Sequence, residues 1–167
     1  MCFTGPSERR NYTIWRVGDL VTGRILAIDV GARRVGLAIS DASRTLARPL
    51  EAITVASQAD GVERVARRIE ELDKEDDAIA TIVVGMPSRL DGTPSEQTAQ
   101  VRAFIALLQA RIATPIVTED ERLTSGEAET RLAVKEKDWR KRKAQLDAVA
   151  ASVFLQDYLD RTQNEDR

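Results

Sequence analysis

Asp29, Asp120, Glu121 and Asp147 are the residues whose types and settings could do chemistry. Asp29 closes the apolar run Ile25-Leu26-Ala27-Ile28, so it is expected to stand rigidly at the end of a strand. Asp120 and Glu121 follow a second run that begins at Pro115. Asp147 lies among Ala144, Leu146, Ala148, Val149, Ala150, Ala151, Val153 and Phe154. An aspartate is a mediocre helix former and costs free energy to bury unpaired, so its presence there calls for a reason. Ala151, Phe154 and Tyr158 share its helical face, which should look towards a sheet. Three or four carboxylates brought by separate elements to one point are what metal-assisted phosphodiester hydrolysis needs. The ions activate a water and stabilise the leaving oxygen, and in the two-metal form they sit roughly 4 Å apart. Plainer roles stay open: Asp29 as a turn residue bonding its own backbone, and Asp147 as an early-turn acid favoured by the helix dipole. Asp120 and Glu121 should point to opposite sides of an extended chain, so one of the two is expected to join the site.

Two scarcities narrow the chemistry further. The chain has no histidine, which excludes histidine general bases, histidine zinc ligands and Ser-His-Asp triads. It has one cysteine, Cys2, so neither an intrachain disulfide nor a thiolate cluster forms. A metal would therefore be held by oxygen, which points to Mg²⁺ or Mn²⁺. The net charge of −2 makes the whole molecule no general glue for polyanions. Charge is uneven, however: Arg131, Lys135, Lys137, Arg140, Arg142 and the flanking Lys141 and Lys143 face only Glu136 and Asp138 in that stretch. That segment is either a basic patch available to nucleic acid or a solvated charged loop.

The elements that must position these groups can be read from periodicity. At 167 residues, 43% hydrophobic and 31% charged, the chain has the length and composition of one globular domain. No apolar run approaches the roughly 20 residues needed to span a bilayer, and no secretory signal is visible, so the cytoplasm is the expected location. Residues 1–22 show no period and read as an extension with a mobile start; 23–160 form the domain, and 161–167 a polar tail. After the run ending at Asp29, Gly31 allows a sharp turn. Val35, Leu37 and Ile39 then alternate as a second strand, in which Gly36 permits close approach. Leu46 to Val55 gives a third strand, with Pro49 marking a break or an edge. Val62, Val65, Ile69 and Leu72 predict a helix with Asp60 at its N-cap, and Ala78 to Gly85 a buried fourth strand. Thr93, Pro94 and Glu96 predict a capping box opening a helix that buries Val101, Phe104, Ile105, Leu108 and Ile112. A fifth strand from Pro115, a helix from Thr124 through about Val134 and a last helix from about Ala144 to Leu159 complete the order. The result is an α/β chain with a mixed sheet flanked by helices.

Four pieces of this sequence, in order, carry a family likeness. They are Asp29-Val30-Gly31-Ala32-Arg33-Arg34-Val35-Gly36-Leu37-Ala38; Gly85-Met86-Pro87 with Asp91-Gly92; Asp120-Glu121-Arg122-Leu123-Thr124-Ser125; and Lys143 with Asp147-Ala148-Val149-Ala150-Ala151 and Leu155-Gln156. Over Arg24 to Leu159 the chain resembles the YqgF/RuvX family of the RNase H-like superfamily. That family is associated with pre-16S rRNA processing and is also described as Holliday-junction-resolvase-like. The resemblance implies an RNase H-like fold, with a five-stranded mixed sheet whose first three strands are antiparallel. It implies catalytic, metal-holding acids at Asp29, Glu121 and Asp147, with Asp120 the alternative in the second slot. It suggests that Arg33 and Arg122 contact phosphate, and that Thr124 and Ser125 at a helix N-terminus accept another. Lys135, Lys137, Arg140, Arg142 and Lys143 would lie on a mobile arm over the substrate, where Trp139 either stacks on a base or packs. The extension before Arg24 is not covered by the likeness.

The implied activity is a metal-dependent nuclease acting on structured RNA or branched DNA, as a monomer or a homodimer. Two other classes compete with it. Asp-x-Gly with a basic turn also resembles the phosphate-gripping hairpin of actin-like and sugar-kinase phosphotransferases, but those need a second such lobe and about twice the length. A non-catalytic nucleic-acid-binding or ribosome-associated factor could also keep the fold, and the net negative charge leans that way.

Overall fold

The computed structural model describes residues 23–75, 78–87, 93–120 and 139–165, with 139–144 and 165 as backbone alone. Five apolar runs become strands: β1 (Arg24–Val30), β2 (Arg34–Ser40), β3 (Ala47–Thr54), β4 (Ile79–Met86) and β5 (Ile116–Asp120). Among the described residues three helices accompany them: α1 (Gln58–Lys74), α2 (Glu96–Gln109) and α3 (Trp139–Glu165). The strands make one sheet in the order β3-β2-β1-β4-β5. β1, β2 and β3 pair antiparallel, whereas β4 joins β1 and β5 joins β4 in parallel. This is the mixed sheet that the sequence predicts.

Alternation along the strands sorts side chains onto two faces. Leu26, Ile28, Val30, Val35, Leu37, Ile39, Ile82 and Val84 pack with Val62, Val65, Ile69 and Leu72 of α1 and with Val101, Phe104 and Leu108 of α2. Ile25, Ala27, Ala38 and Val83 point the other way, against Ala151, Phe154, Leu155 and Leu159 of α3. Ala27 and Ala38 of the sheet and Ala151 of the helix are small, so the long helix can lie close to the sheet there. Each large aliphatic side chain taken fully out of water contributes about 1.5–3 kcal/mol, and both faces are filled this way. β3 is the half-exposed edge of the sheet, and Pro49 sits there beside a register shift between Leu37 and Ala38. A residue without an N–H is tolerated at that place.

Polar tethers fix α3 over the sheet. Gln156 Oε1 accepts from Ala47 N at 2.9 Å, and its Nε2 donates to Thr45 O at 2.9 Å. Gln163 Nε2 donates to Arg44 O at 2.9 Å in the β2–β3 turn. Asp41 organises that turn by accepting from Thr45 N at 2.7 Å and Leu46 N at 2.9 Å. Ser40, fully buried, accepts from Ile25 N at 2.9 Å and donates to Asp41 O at 2.9 Å.

Several boundaries differ from expectation, each for a local reason. The N-cap of α1 is Ser57, whose hydroxyl accepts from Asp60 N. Asp60 instead lies in the first turn and accepts from Ala56 N at 2.9 Å. The N-cap of α2 is Ser95 and not Thr93, because Thr98 completes the reciprocal pair with it. Thr98 Oγ1 also donates to Pro87 O at 2.6 Å, which ties the start of α2 to the end of β4. The last helix begins at Trp139 and runs through Glu165, earlier and later than the expected bounds, so it takes in 139–143 of the expected arm and the first residues of the expected tail. The expected extension over 1–22, the helix over 124–134 and the arm at 135–138 lie outside the described residues.

Candidate active site

Asp29 lies on the α3 face of the sheet, because it alternates with Ile25 and Ala27, which pack there. It is half-buried near the carboxyl end of β1 and pairs directly with Gly36 of β2. Paired residues of adjacent antiparallel strands have Cα atoms roughly 4.5–5.5 Å apart. The loop between these strands is tight: Gly31 N donates to Arg34 O at 2.9 Å, and a Cβ on Gly31 would stand 2.7 Å from that same oxygen.

Gly36 is the point where α3 meets the sheet. A Cβ built on it would lie 2.2 Å from the carbonyl oxygen of Asp147 and 3.1 Å from Ala148 N. Glycine is therefore required by the helix backbone itself. The sequence predicts a close approach at Gly36, and what approaches is Asp147. Asp29 and Asp147 thus occupy one face at one end of the sheet, joined through a single glycine. Ala151 and Phe154 share the buried side of α3, as the helical spacing predicts, while Tyr158 is partly buried beside them.

Arg34 adds a contact that the sequence did not single out. Its Nε donates to Asp147 Oδ2 at 2.8 Å, with the two side chains 23% and 33% exposed. Strand alternation places Arg34 on the same face as Gly36, two positions before it, so the guanidinium rises directly to the helix. Arg33, the neighbour expected to touch phosphate, is exposed in the loop, and its carbonyl accepts from Val55 N at 3.0 Å. The signal that separates the two arginines is parity relative to Gly36.

The acids after β5 divide between faces. Asp120 pairs with Met86, whose side chain packs on the α1 and α2 core, so Asp120 belongs to the face opposite Asp29. Glu119 pairs with Gly85 and stands on the α3 face, where it is 16% exposed and meets Arg161 Nη2 at 2.7 Å. Glu119 is an acid on the Asp29 face that sequence reading passed over, and α3 supplies its counter-ion. Glu121, Arg122, Thr124, Ser125, Lys135 and Lys137 lie outside the described residues. Arg140, Arg142 and Lys143 lie on the first turns of α3 as backbone. Among the described residues, no three His, Cys, Asp or Glu side chains gather closely enough to hold a metal ion. No helix among them is long and apolar enough to cross a membrane.

The RuvX family, described as "Holliday junction resolvase", matches residues 23–161. A protein of Roseiflexus sp. (strain RS-1) named "Putative pre-16S rRNA nuclease" is 38% identical over 138 residues, covering 83% of this chain and 94% of its own. One of the same name from Lactiplantibacillus plantarum is 40% identical over 142 residues, covering 83% and 94%. Among solved structures, T. thermophilus RuvC in complex with Holliday junction substrate superposes with a TM-score of 0.51 at 16% identity, covering 84% of this chain and 96% of that one. At that identity the likeness is one of fold, and it agrees with the RNase H-like architecture implied by the sequence.

Proposed function

The chain belongs to the RuvX family, and from that premise we propose that it hydrolyses phosphodiester bonds in structured nucleic acid, with Asp29 and Asp147 among its catalytic acids. The single observation that carries the assignment to these residues is the apposition of Asp147 to Gly36, the strand partner of Asp29. Two carboxylates at one sheet end bring acidic oxygens together where a cation could be held, with Arg34 offsetting part of the charge on Asp147. The side-chain donors proposed here are all carboxylate oxygens, in a chain without histidine, which suits a hard divalent cation. Mg²⁺ or Mn²⁺ would suit such donors, and Asp29, Asp147 and Glu121 are the residues that would hold it. Bound there, such an ion would activate a water and stabilise the leaving oxygen.

The chain's own groups do the rest. Asp29 is positioned by a central strand and Asp147 by a helix wedged on a glycine, so neither carboxylate needs to be ordered at the moment of reaction. Arg33, exposed in the adjoining loop, is the proposed contact to a phosphate at the same rim. Arg122, Thr124, Ser125, Lys135, Lys137, Arg140, Arg142 and Lys143 complete the proposed contacts to the polyanion. Asp120, on the other face, is the less favoured occupant of the second acidic position. The relatives' names point to precursor 16S rRNA as substrate, while the family description points to a four-way DNA junction. Symmetric cutting of a junction would need a homodimer, whereas rRNA trimming is open to a monomer.

The test is cleavage of labelled precursor rRNA and of four-way-junction DNA with Mg²⁺ or Mn²⁺, with mass in solution measured alongside. Asp29→Asn and Asp147→Asn should each lose more than the roughly 100-fold that removal of a supporting contact costs. Activity surviving both substitutions removes these acids from the mechanism. Metal-independent binding with no cleavage of either substrate leaves a binding factor that has kept the fold.

A further inference from the structure

Arg34 and Asp147 are distant in sequence, yet their side chains meet at 2.8 Å at the end of the sheet where Asp29 stands. We infer that Arg34 is the positioning residue of the site: it grips one oxygen of Asp147 and leaves the other to face the metal. This rests on the reading of Asp29 and Asp147 as metal-holding acids.

Three features of the geometry support the inference. The contact uses Arg34 Nε and Asp147 Oδ2, a single charge-assisted hydrogen bond, so Oδ1 is not engaged by Arg34. The backbone of Asp147 is already seated against Gly36, two residues along the strand from Arg34. The helix carbonyl and the carboxylate are thus both registered to β2, and the side chain has little rotational freedom left. The pair is also partly withdrawn from water, at 23% and 33% exposure, where an ion pair loses less to screening than one on the open surface. Without a counter-charge, two carboxylates on one face would repel each other before any metal arrives, and Arg34 supplies that charge from within the fold. Supporting partners of metal-binding carboxylates characteristically orient them, and their loss lowers metal affinity or activity by about 10–100-fold. A general base or substrate contact is not needed to account for an arginine in this position.

The experiment titrates Mn²⁺ alone, by electron paramagnetic resonance, into the full chain carrying Arg34→Met, Arg34→Lys or Asp147→Asn. Thermal stability and single-turnover cleavage are recorded in parallel. The expected result is Mn²⁺ affinity at least about tenfold weaker in Arg34→Met, with KM for nucleic acid within about twofold of wild type and the loss falling on kcat. Arg34→Lys keeps the charge but not the planar donor, and should lose less than Arg34→Met. Unchanged or tighter Mn²⁺ binding in Arg34→Met overturns the inference, because Arg34 is then inert or a competitor of the metal. A raised KM with unaltered Mn²⁺ affinity also overturns it, since Arg34 then touches substrate. A readout on the wild-type chain covers the case in which Arg34→Met does not fold. The Arg34 Nε–H should exchange slowly with solvent in the metal-free protein and rapidly in Asp147→Asn; rapid exchange in both refutes the pairing. If wild type binds no Mn²⁺ and Asp147→Asn cleaves normally, the failure lies with the underlying reading of the acids.

Discussion

Replacing Gly36 by alanine tests whether catalysis depends on how closely α3 is seated over β1 and β2. The added carbon would stand 2.2 Å from the carbonyl oxygen of Asp147, whereas ordinary contact is no closer than 3.4 Å. Strand and helix must therefore separate by about 1 Å, and the obstacle is backbone, which cannot rotate away. Overpacking of this kind costs about 1–3 kcal/mol. At about 2 kcal/mol, a domain of this size should melt roughly 4–8 °C lower. The functional loss should be larger than the structural one. A misplacement of about 1 Å at a catalytic group can cost about 100-fold in rate, and the displaced residue is Asp147 itself. The assay is single-turnover cleavage of labelled precursor rRNA at 20 °C below the melting point of the variant, with circular dichroism to confirm folding. Leu159→Ala is the matched control: it opens a cavity on the same helix, at a cost of about 2–5 kcal/mol, but it lies three turns from Asp147. The expected outcome is slow cleavage in Gly36→Ala and near-normal cleavage in Leu159→Ala. A folded Gly36→Ala protein that cleaves at the wild-type rate would refute the reasoning, since the spacing of Asp29 and Asp147 would then be irrelevant.

Other consequences can be checked by equilibrium unfolding in urea. Ser40→Ala strips the partner from the buried Ile25 N–H and should cost about 1–3 kcal/mol, although the residue lies at the far end of β2 from Asp29. Thr98→Ala removes the reciprocal cap of α2 together with the 2.6 Å bond to Pro87 O, and should cost about 1–2 kcal/mol. The pH dependence follows from two turn-forming acids. Hydrogen bonds from Leu46 N, the Ser43 hydroxyl and Thr45 N hold the Asp41 carboxyl below its ordinary value. The Ala56 N–H, followed by Arg64, does the same for Asp60. Folding depresses both pKa values, so these contributions are fully present above the unfolded value near pH 4 and are lost as pH falls through the lower folded values. Stability of Asp41→Asn and Asp60→Asn should accordingly vary less with pH below about 4 than that of wild type.

Much of this molecule is local in origin and could be read along the chain. The run Ile25 to Ile28, the alternation of Val35, Leu37 and Ile39, and the spacing of Val62, Val65, Ile69 and Leu72 report strand and helix because each period is set by backbone geometry. The lack of histidine and the single Cys2 restrict the chemistry to oxygen donors wherever those donors end up. Caps were less legible. Thr93 and Ser95 each have a suitable residue three positions on, and the choice fell to Ser95 because Thr98 can also reach Pro87 on another element. Parity along one strand is local, but the pairing of one strand with another and the contact of a distant helix with both are not. Only the tertiary structure could therefore set Asp29 opposite Gly36, seat Asp147 on that glycine, send Asp120 to the other face and give Asp147 to Arg34 rather than to Arg33. Those four placements depend on register between segments far apart in the chain, and no residue carries that register in its own neighbourhood.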